Sequence, residues 1–412
     1  MGNAPHELIP HLFRQEYAKM TAVLCRHFGL KHIEIAEDIA SDTFLKASEH
    51  WAIHGVPENP AAWLYTVAKN KTKDYFKHLS VFETQIKEEL TPNVSEKEIE
   101  YEGQIIADSQ LAMIFAVCNP LNSNESQICL ALQILCGFSV EEIASAFIIK
   151  PETIKKRLYR ARNNLRKDNF QIKTLSGAEI KSRLSAVLKT LYLLFNEGYF
   201  SQSNDNLVRK DLCAEATRLT LQLTENPLTD TSQTNALLAL MCFQSSRLEA
   251  RTNHKGDIVL FDEQDQNLWD QSLIERGNYY LVKATNKKEI SKYHLEAGIA
   301  YWHATPKNEH KWQHILLLYN QLVLIDYSPV TALNRTFAFS KVYGKAKAIP
   351  EAEKLKLGEN NQYYQLLGYL YTESVPLKAI EYYEQALKNT RSEKKILSLK
   401  KKIEQLKLNN SQ

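Results

Sequence analysis

Apolar and small residues recur every three to four positions along most of this chain, the period of helices that bury one face. Such a pattern runs from residue 8 to residue 28 and stops at Gly29, a residue suited to the left-handed turn that ends a helix. Ala36, Ile39, Ala40, Thr43, Phe44 and Ala47 then make one buried stripe, while Glu37, Asp38 and Asp42 fall off it. Asn59 and Pro60 supply an N-cap and first-turn pair for a helix reaching residue 78. The pattern fades across residues 80–104, an acidic stretch that contains Thr91-Pro92 and has no core face. It resumes at Ile105, and Gly137 closes a helix carrying Ile128, Leu132 and Leu135. Ser139 and Glu142 stand at the spacing of a capping box, ahead of a short helix with Ile143, Ala144 and Phe147 inside. After a turn at 148–150, Pro151 opens a helix over 151–167 whose anchoring stripe is Ile154, Leu158, Ala161 and Leu165. Two helices joined by so short a turn predict a helix-turn-helix. Its weak point is Lys150, which brings no side-chain oxygen to the cap.

Beyond residue 177 the pattern stays helical and the clusters of positive charge stop. A strongly apolar helix is predicted over 184–198 with Gly198 as its end, followed by amphipathic helices over 214–223 and 235–251. Residues 254–270 predict a loop or short hairpin. From residue 290 onward helices come in pairs with proline near the start of the second, as in 312–324 with 329–342 and 363–371 with 376–389. In LKAIEYYEQALKN, Ala379 and Ala386 are small packing residues of the kind found in the second helix of a tetratricopeptide-type repeat.

Composition narrows the class. A chain of 412 residues is too long for one core, and 44% hydrophobic with 24% charged residues describes a globular protein. The net charge of +3 is small, so the local clustering of Lys and Arg carries the information. No apolar run is long enough for a transmembrane helix, and the N-terminus lacks the layout of a signal peptide. The six cysteines form no CxxC pair and read as reduced core thiols in the cytosol. With few glycines and scarce alternating β-branched runs, the predicted fold class is all-α.

Two segments concentrate charge with a chemistry attached. On the helix over 151–167, Lys155, Lys156, Arg157, Arg160, Arg162 and Arg166 lie off the apolar stripe, where they can reach phosphates and guanine edges. On the helix over 60–78, Trp63, Tyr65, Tyr75 and Phe76 alternate with Lys69, Asn70, Lys71, Lys73 and Lys77. Aromatic faces stack on unpaired bases while cations hold the backbone, so this mixture suits single-strand capture; each aromatic taken alone reads by default as core. Two such helices either side of a flexible acidic tether would touch two separate DNA elements. Glu37, Asp38 and Asp42 repel DNA and point to a protein partner.

Other constellations fail on inspection. The carboxylates from Asp257 to Asp270 lack the calcium-loop spacing: with Asp262 first, the required Gly is Asn267 and the final Glu is Leu273. Glu197 has no His or second carboxylate placed beside it by sequence, so a catalytic role is not indicated. No metal, cofactor or enzymatic activity is expected.

These motifs, in this order, resemble a sigma-70-family RNA polymerase sigma factor of the extracytoplasmic-function (ECF) type. IAEDIASDTFLKA is similar to the polymerase-binding region 2.2, NPAAWLYTVAKNKTKDYFKH to regions 2.3 and 2.4, and LQILCGFSVEEIASAFIIKPETIKKRLYRARNNLRK to region 4.2. LYLLFNEGYF, DLCAEATRL, LLALMCFQSSRLEAR and VLFDEQDQNLWD resemble segments of the subgroup with a long C-terminal extension ending in tetratricopeptide-like repeats. Lys73 and Lys150 depart from the pattern. The resemblance implies a region 2 domain over 1–79, an acidic linker over 80–104 and a region 4 helix-turn-helix domain over 105–170. A helical extension would follow over 171–285, with repeats over 286–408. It implies −35 contacts by Thr153, Lys155, Lys156, Arg157, Tyr159, Arg160 and Arg162. The −10 contacts would be Trp63, Tyr65, Lys69, Asn70, Lys71, Asp74 and Lys77, and the core polymerase contacts Glu37, Asp38, Asp42, Phe44 and Lys46. The implied partners are core RNA polymerase, promoter DNA, and a protein or ligand bound by the repeats, with no membrane partner and a cytoplasmic location. A free-standing helix-turn-helix regulator with a repeat-type sensor domain would use only residues 151–167. An enzyme built on residues 180–285 would need a pocket the spacing does not suggest.

Overall fold

The computed structural model describes residues 5–83, 103–147, 149–167, 170–200, 209–251, 259, 263–285, 289–305, 309–358, 360–388, 390 and 393–409. Among them every regular element is a helix, as the periodicity predicts. No described helix is long and apolar enough to cross a membrane. The chain divides into two compact units, Met1–Asn196 and Glu197–Gln412.

The first unit opens with α1 (Pro5–Phe28), α2 (Ile33–His54) and α3 (Pro60–Glu83). Gly29 and Gly55 take positive φ of 81° and 80°, and each returns its N–H to the helix just finished, to Cys25 and Trp51. The predicted stripe of α2 is buried throughout, with Trp51 extending it. Pro60 follows Asn59, whose side chain accepts from Ala62 N–H at 3.0 Å and so caps α3 as expected. Residues 80–83 of the expected linker continue α3, and residues 84–102 lie outside the described residues.

Next come α4 (Gly103–Val117), α5 (Asn124–Leu130) with a wider π-type turn over Ala131–Leu135, α6 (Val140–Phe147) and α7 (Pro151–Lys167). The capping box of α6 is formed in both directions: Ser139 N–H donates to Glu142 at 2.8 Å and Glu142 N–H to Ser139 at 3.1 Å. Ile154, Leu158, Ala161 and Leu165 are all buried, which fixes the rotation of α7 about its axis. The weak cap at Lys150 is met by its carbonyl, which accepts from Thr153 and Ile154. A second capping box, Ser176 with Glu179, starts α8 (Gly177–Phe200).

Within this unit the α1–α3 and α4–α7 groups are joined by apolar contact and by charge. Helix α1 packs on α4, and α7 meets the single 3-10 turn Leu30–His32 that leads into α2. Gly137, at φ 69°, lies against the Phe13 ring so closely that a Cβ there would sit 2.9 Å from it. Both groups lie in the one unit Met1–Asn196.

The second unit builds on α9 (Lys210–Thr224), α10 (Ser232–Ser245), α11 (Gln271–Ala284) and α12 (Lys292–Ala304). Helix α10 is buried on every side, from Asn235 through Phe243, so it has no polar face to reveal a helical period. Gly277 of α11 admits the Phe243 ring where a Cβ would stand 2.7 Å away. Gly198 proves not to end its helix, which continues to Phe200. It lets the backbone at Arg209 approach to where a Cβ would stand 2.7 Å from the carbonyl oxygen. Of the expected loop or hairpin, 254–258 and 260–262 lie outside the described residues; Gln266–Leu268 is a 3-10 turn and Asp270 caps α11. Then α13 (Lys311–Ile325), α14 (Pro329–Tyr343), α15 (Lys345–Glu353), α16 (Asn361–Tyr371), α17 (Pro376–Lys388) and α18 (Glu393–Asn409) follow, each against the next. Gly368 admits the Tyr383 ring between α16 and α17, and Ala379 and Ala386 are fully buried, the small packing residues the sequence marks out.

Candidate nucleic-acid interface

With its stripe buried, α7 turns Thr153, Lys155, Lys156, Tyr159 and Arg160 to solvent. Thr153, Lys156 and Arg160 follow one another at i, i+3 and i+7, a single outward face, and Tyr159 stands 66% exposed beside it. An exposed tyrosine among cations on a rigid helix offers a ring to stack and charges to hold phosphate. Lys155 also pairs with Glu152 at 3.1 Å, an exposed contact of little energetic weight. Arg157 is half-buried, with Nη1 at 3.9 Å from the Cys129 sulfur.

Arg162 points elsewhere. Its guanidinium donates to both Glu37 carboxylate oxygens at 2.7 Å and to the Gln133 side chain at 2.8 and 3.2 Å. The two charged side chains are only 13% and 15% exposed. One turn further along, Arg166 bonds Glu34. Burial works against the charge on Arg162, yet the facing Glu37 and Glu34 hold its pKa above the usual arginine value. Burial likewise raises the pKa of Glu34, but the Arg166 hydrogen bond, a backbone N–H and the charges of Arg166 and Arg162 together leave it below the usual carboxylate value. Burial and the charge of Glu37 push the neighbouring Tyr17 phenol up. Residues expected to meet two different partners, Arg162 and Glu37, thus meet each other.

On α3 the aromatic residues turn inward and the polar ones outward. Trp63 lies against Trp51 and His50, ring centroids 5.4 and 5.3 Å apart. The Tyr65 hydroxyl donates to Glu16 at 2.6 Å. Tyr75 and Phe76 close on Phe28, with Phe76 stacked at 5.3 Å. Asn70, Lys73, Asp74 and Lys77 are exposed, Lys69 is half-buried, and Lys71 reaches Asp42 of α2 at 3.2 Å.

Asp38, Asp42 and Lys46 of α2 are exposed, whereas Phe44 is 5% exposed and set edge-on to Phe13. Leu45 and Ile53 on the same helix are 59% and 78% exposed, apolar side chains beside acids on an otherwise polar face. Sequence reasoning passed over both; their signal is that they are large, apolar and off the 36–39–40–43–44–47 stripe. All six cysteines are buried and none is in a disulfide, and burial raises the thiol pKa of Cys25, Cys129 and Cys242 and, to about 12, of Cys118 and Cys213.

Residues 12–80, nearly the span of α1–α3, match the family model of sigma-70 region 2. Residues 183–285 match a family of unknown function (DUF6596), and the four extension segments singled out above fall within it. The uncharacterized protein R00370 of Rhizobium meliloti is 32% identical over 84% of this chain and 81% of its own length. The ECF RNA polymerase sigma factor BldN of Streptomyces coelicolor is 30% identical over 31% of this chain and 47% of its own. The RNA polymerase sigma factor YlaC of Bacillus subtilis is 27% identical over 39% of this chain and 91% of its own. No solved structure matches the chain.

Proposed function

We propose that the chain, which is in one family with R00370, is a sigma-70-family RNA polymerase sigma factor, an alternative one of the ECF type. It binds core RNA polymerase, recognises a −10 and a −35 element, and starts transcription. The observation that carries this reading is the outward face of α7, with Thr153, Lys156, Tyr159 and Arg160 over a wholly buried stripe. That face belongs to a capped helix-turn-helix in the same unit as a region 2.

On this reading Thr153, Lys155, Lys156, Arg157, Tyr159 and Arg160 read the −35 major groove, with Arg162 joining them once it leaves Glu37. The exposed edge of α3, with Asn70, Lys73, Asp74 and Lys77, faces the −10 strand, and Lys69 and Lys71 support it. Trp63 and Tyr65 act where they can leave Trp51 and Glu16. Asp38, Asp42, Lys46, Leu45 and Ile53 form the polymerase face of α2, which Phe44 braces from inside. The working division is region 2 over 1–79, linker over 80–104, region 4 over 105–170, helical extension over 171–285 and tetratricopeptide-like repeats over 286–408. The extension tunes transcription by binding a protein or ligand, in the cytoplasm. Run-off transcription by the full chain with bacterial core polymerase on a randomised promoter library tests the reading. Enrichment of a two-element consensus supports it, and output no higher than that of core polymerase alone overturns it.

A further inference from the structure

Helix α13 carries apolar residues on every side but is covered on one side only. Ile315, Leu316 and Leu322 are buried against α12 and α14, and Leu318 seats where a Cβ on Gly298 would stand 3.1 Å away. On the opposite face Leu317 and Ile325 are more than half exposed, Leu324 is 86% exposed, and Gln321 is exposed between them. We propose that a second copy of the chain docks on this face, α13 against α13, as an antiparallel pair about a two-fold axis. The proposal goes beyond the sigma-factor reading and does not depend on it.

Composition sets this face apart. Apart from His314, no residue from Trp312 to Ile325 is acidic or basic, in a chain where 24% of residues are charged. His314 itself stacks on Trp302 at 4.3 Å. The charges that bound the helix are taken up at the two ends of α12. Lys311 donates to the His303 and Thr305 carbonyls at 3.3 and 3.4 Å, and Asp326 pairs with Lys292 at 3.1 Å. Past the helix, Tyr327 and Val330 extend the exposed apolar surface. Apolar residues scattered singly on a surface need no explanation, whereas this run from Leu317 to Val330 makes a patch.

The occupant follows from what the face lacks and from where Gln321 sits. Phosphate backbones and charged peptides need opposite charge across the contact, and this face offers none. A two-fold interface brings a surface against its own copy, so a patch without charge mates with itself free of like-charge repulsion. Gln321 lies four residues from Leu317 and four from Ile325. With the axis at Gln321, the two amides face each other, each a donor and an acceptor, and bond reciprocally. In the antiparallel register Leu317 of one copy then faces Ile325 of the other. A slip would leave the amides buried and unbonded, which fixes the register. A contact of one helix and one turn is small, so the pair stays in equilibrium with the single chain and responds to dilution.

The test is the oligomeric state of the full chain, measured by sedimentation over a wide range of concentration. A dimer that dissociates on dilution is expected. Leu317→Glu or Leu324→Glu should raise its dissociation constant at least tenfold while the circular dichroism stays helical. Both positions are exposed, so the single chain loses no core contact. Gln321→Cys places a thiol on the axis, in a chain whose six native cysteines are buried, and mild oxidation should link two copies through it. Gln313→Cys, also exposed, is the control. It lies eight residues off the axis, so its two thiols stand about 24 Å apart at ~1.5 Å rise per residue and do not link. A chain that stays single at every concentration overturns the proposal. So does a dimer that survives both Glu variants and does not link through Gln321→Cys. Neither result bears on transcription with core polymerase, so the sigma-factor reading stands or falls separately.

Discussion

Helices α3 and α7 carry similar mixtures of aromatic and basic residues and use them in opposite ways. On α7 the aromatic, Tyr159, stands in solvent with the cations, and the core is met by a separate aliphatic stripe. On α3 the aromatics are the core contact: Trp63 meets Trp51, and Phe76 stacks on Phe28. On the proposed reading, α7 therefore meets DNA as it stands, by adding contacts. Helix α3 can offer Trp63 or Tyr65 to a base only by giving up packing, and the binding energy must cover that loss. Cations beside aromatics in a sequence are thus one pattern with two physical meanings, and burial decides between them.

The comparison is broken outright if neither helix reaches DNA without the polymerase. Asp38→Lys with Asp42→Lys should abolish holoenzyme formation in a pull-down with core polymerase while the circular dichroism stays helical. Neither acid touches the buried stripe, and the Lys71–Asp42 pair it removes is an exposed one of about 0–1 kcal/mol. Normal holoenzyme affinity in that variant would mean that α2 does not face the polymerase.

Next in size is Trp63→Ala, which should lower stability by roughly 2–3 kcal/mol, somewhat under the cost of a fully buried aromatic. A denaturant midpoint reads it, and an unchanged midpoint would place α3 in the same class as α7. Tyr159→Ala is the counterpart and should move stability by no more than about 0.5 kcal/mol while weakening promoter binding in a filter assay. The smallest effect belongs to Tyr65→Phe, about 1 kcal/mol for one hydrogen bond to a carboxylate. Lys19 keeps Glu16 paired at 2.8 Å after the hydroxyl is gone, so the loss stays at the low end.

What could be read from the sequence follows the same division. The stripes of α2 and α7, the Ser139–Glu142 box and the Asn59–Pro60 start depend on neighbours within a few residues, and each is found where spacing puts it. The Arg162–Glu37 pair joins residues 125 apart in sequence, and no local pattern marks which of the seven cations on α7 turns inward. Gly198 reads from sequence as a helix end, but the absence of a Cβ serves a close backbone approach equally, and the approach of Arg209 is what the structure shows. Helix α10 has no polar face and α11 no unbroken apolar run, so the first could be bounded only loosely and the second was missed.

The claim that two helices of one chain read two promoter elements is tested most directly by footprinting the holoenzyme on the enriched promoter, with Arg157→Ala and Arg160→Ala beside the unaltered chain. Each substitution removes a cation from the −35 surface, worth about 1–3 kcal/mol where it makes a bidentate contact to a base. Protection should be lost upstream in both variants while the −10 region remains as before. Unchanged upstream protection in both would contradict the account, because the outward face of α7 would then not be what holds the −35 element.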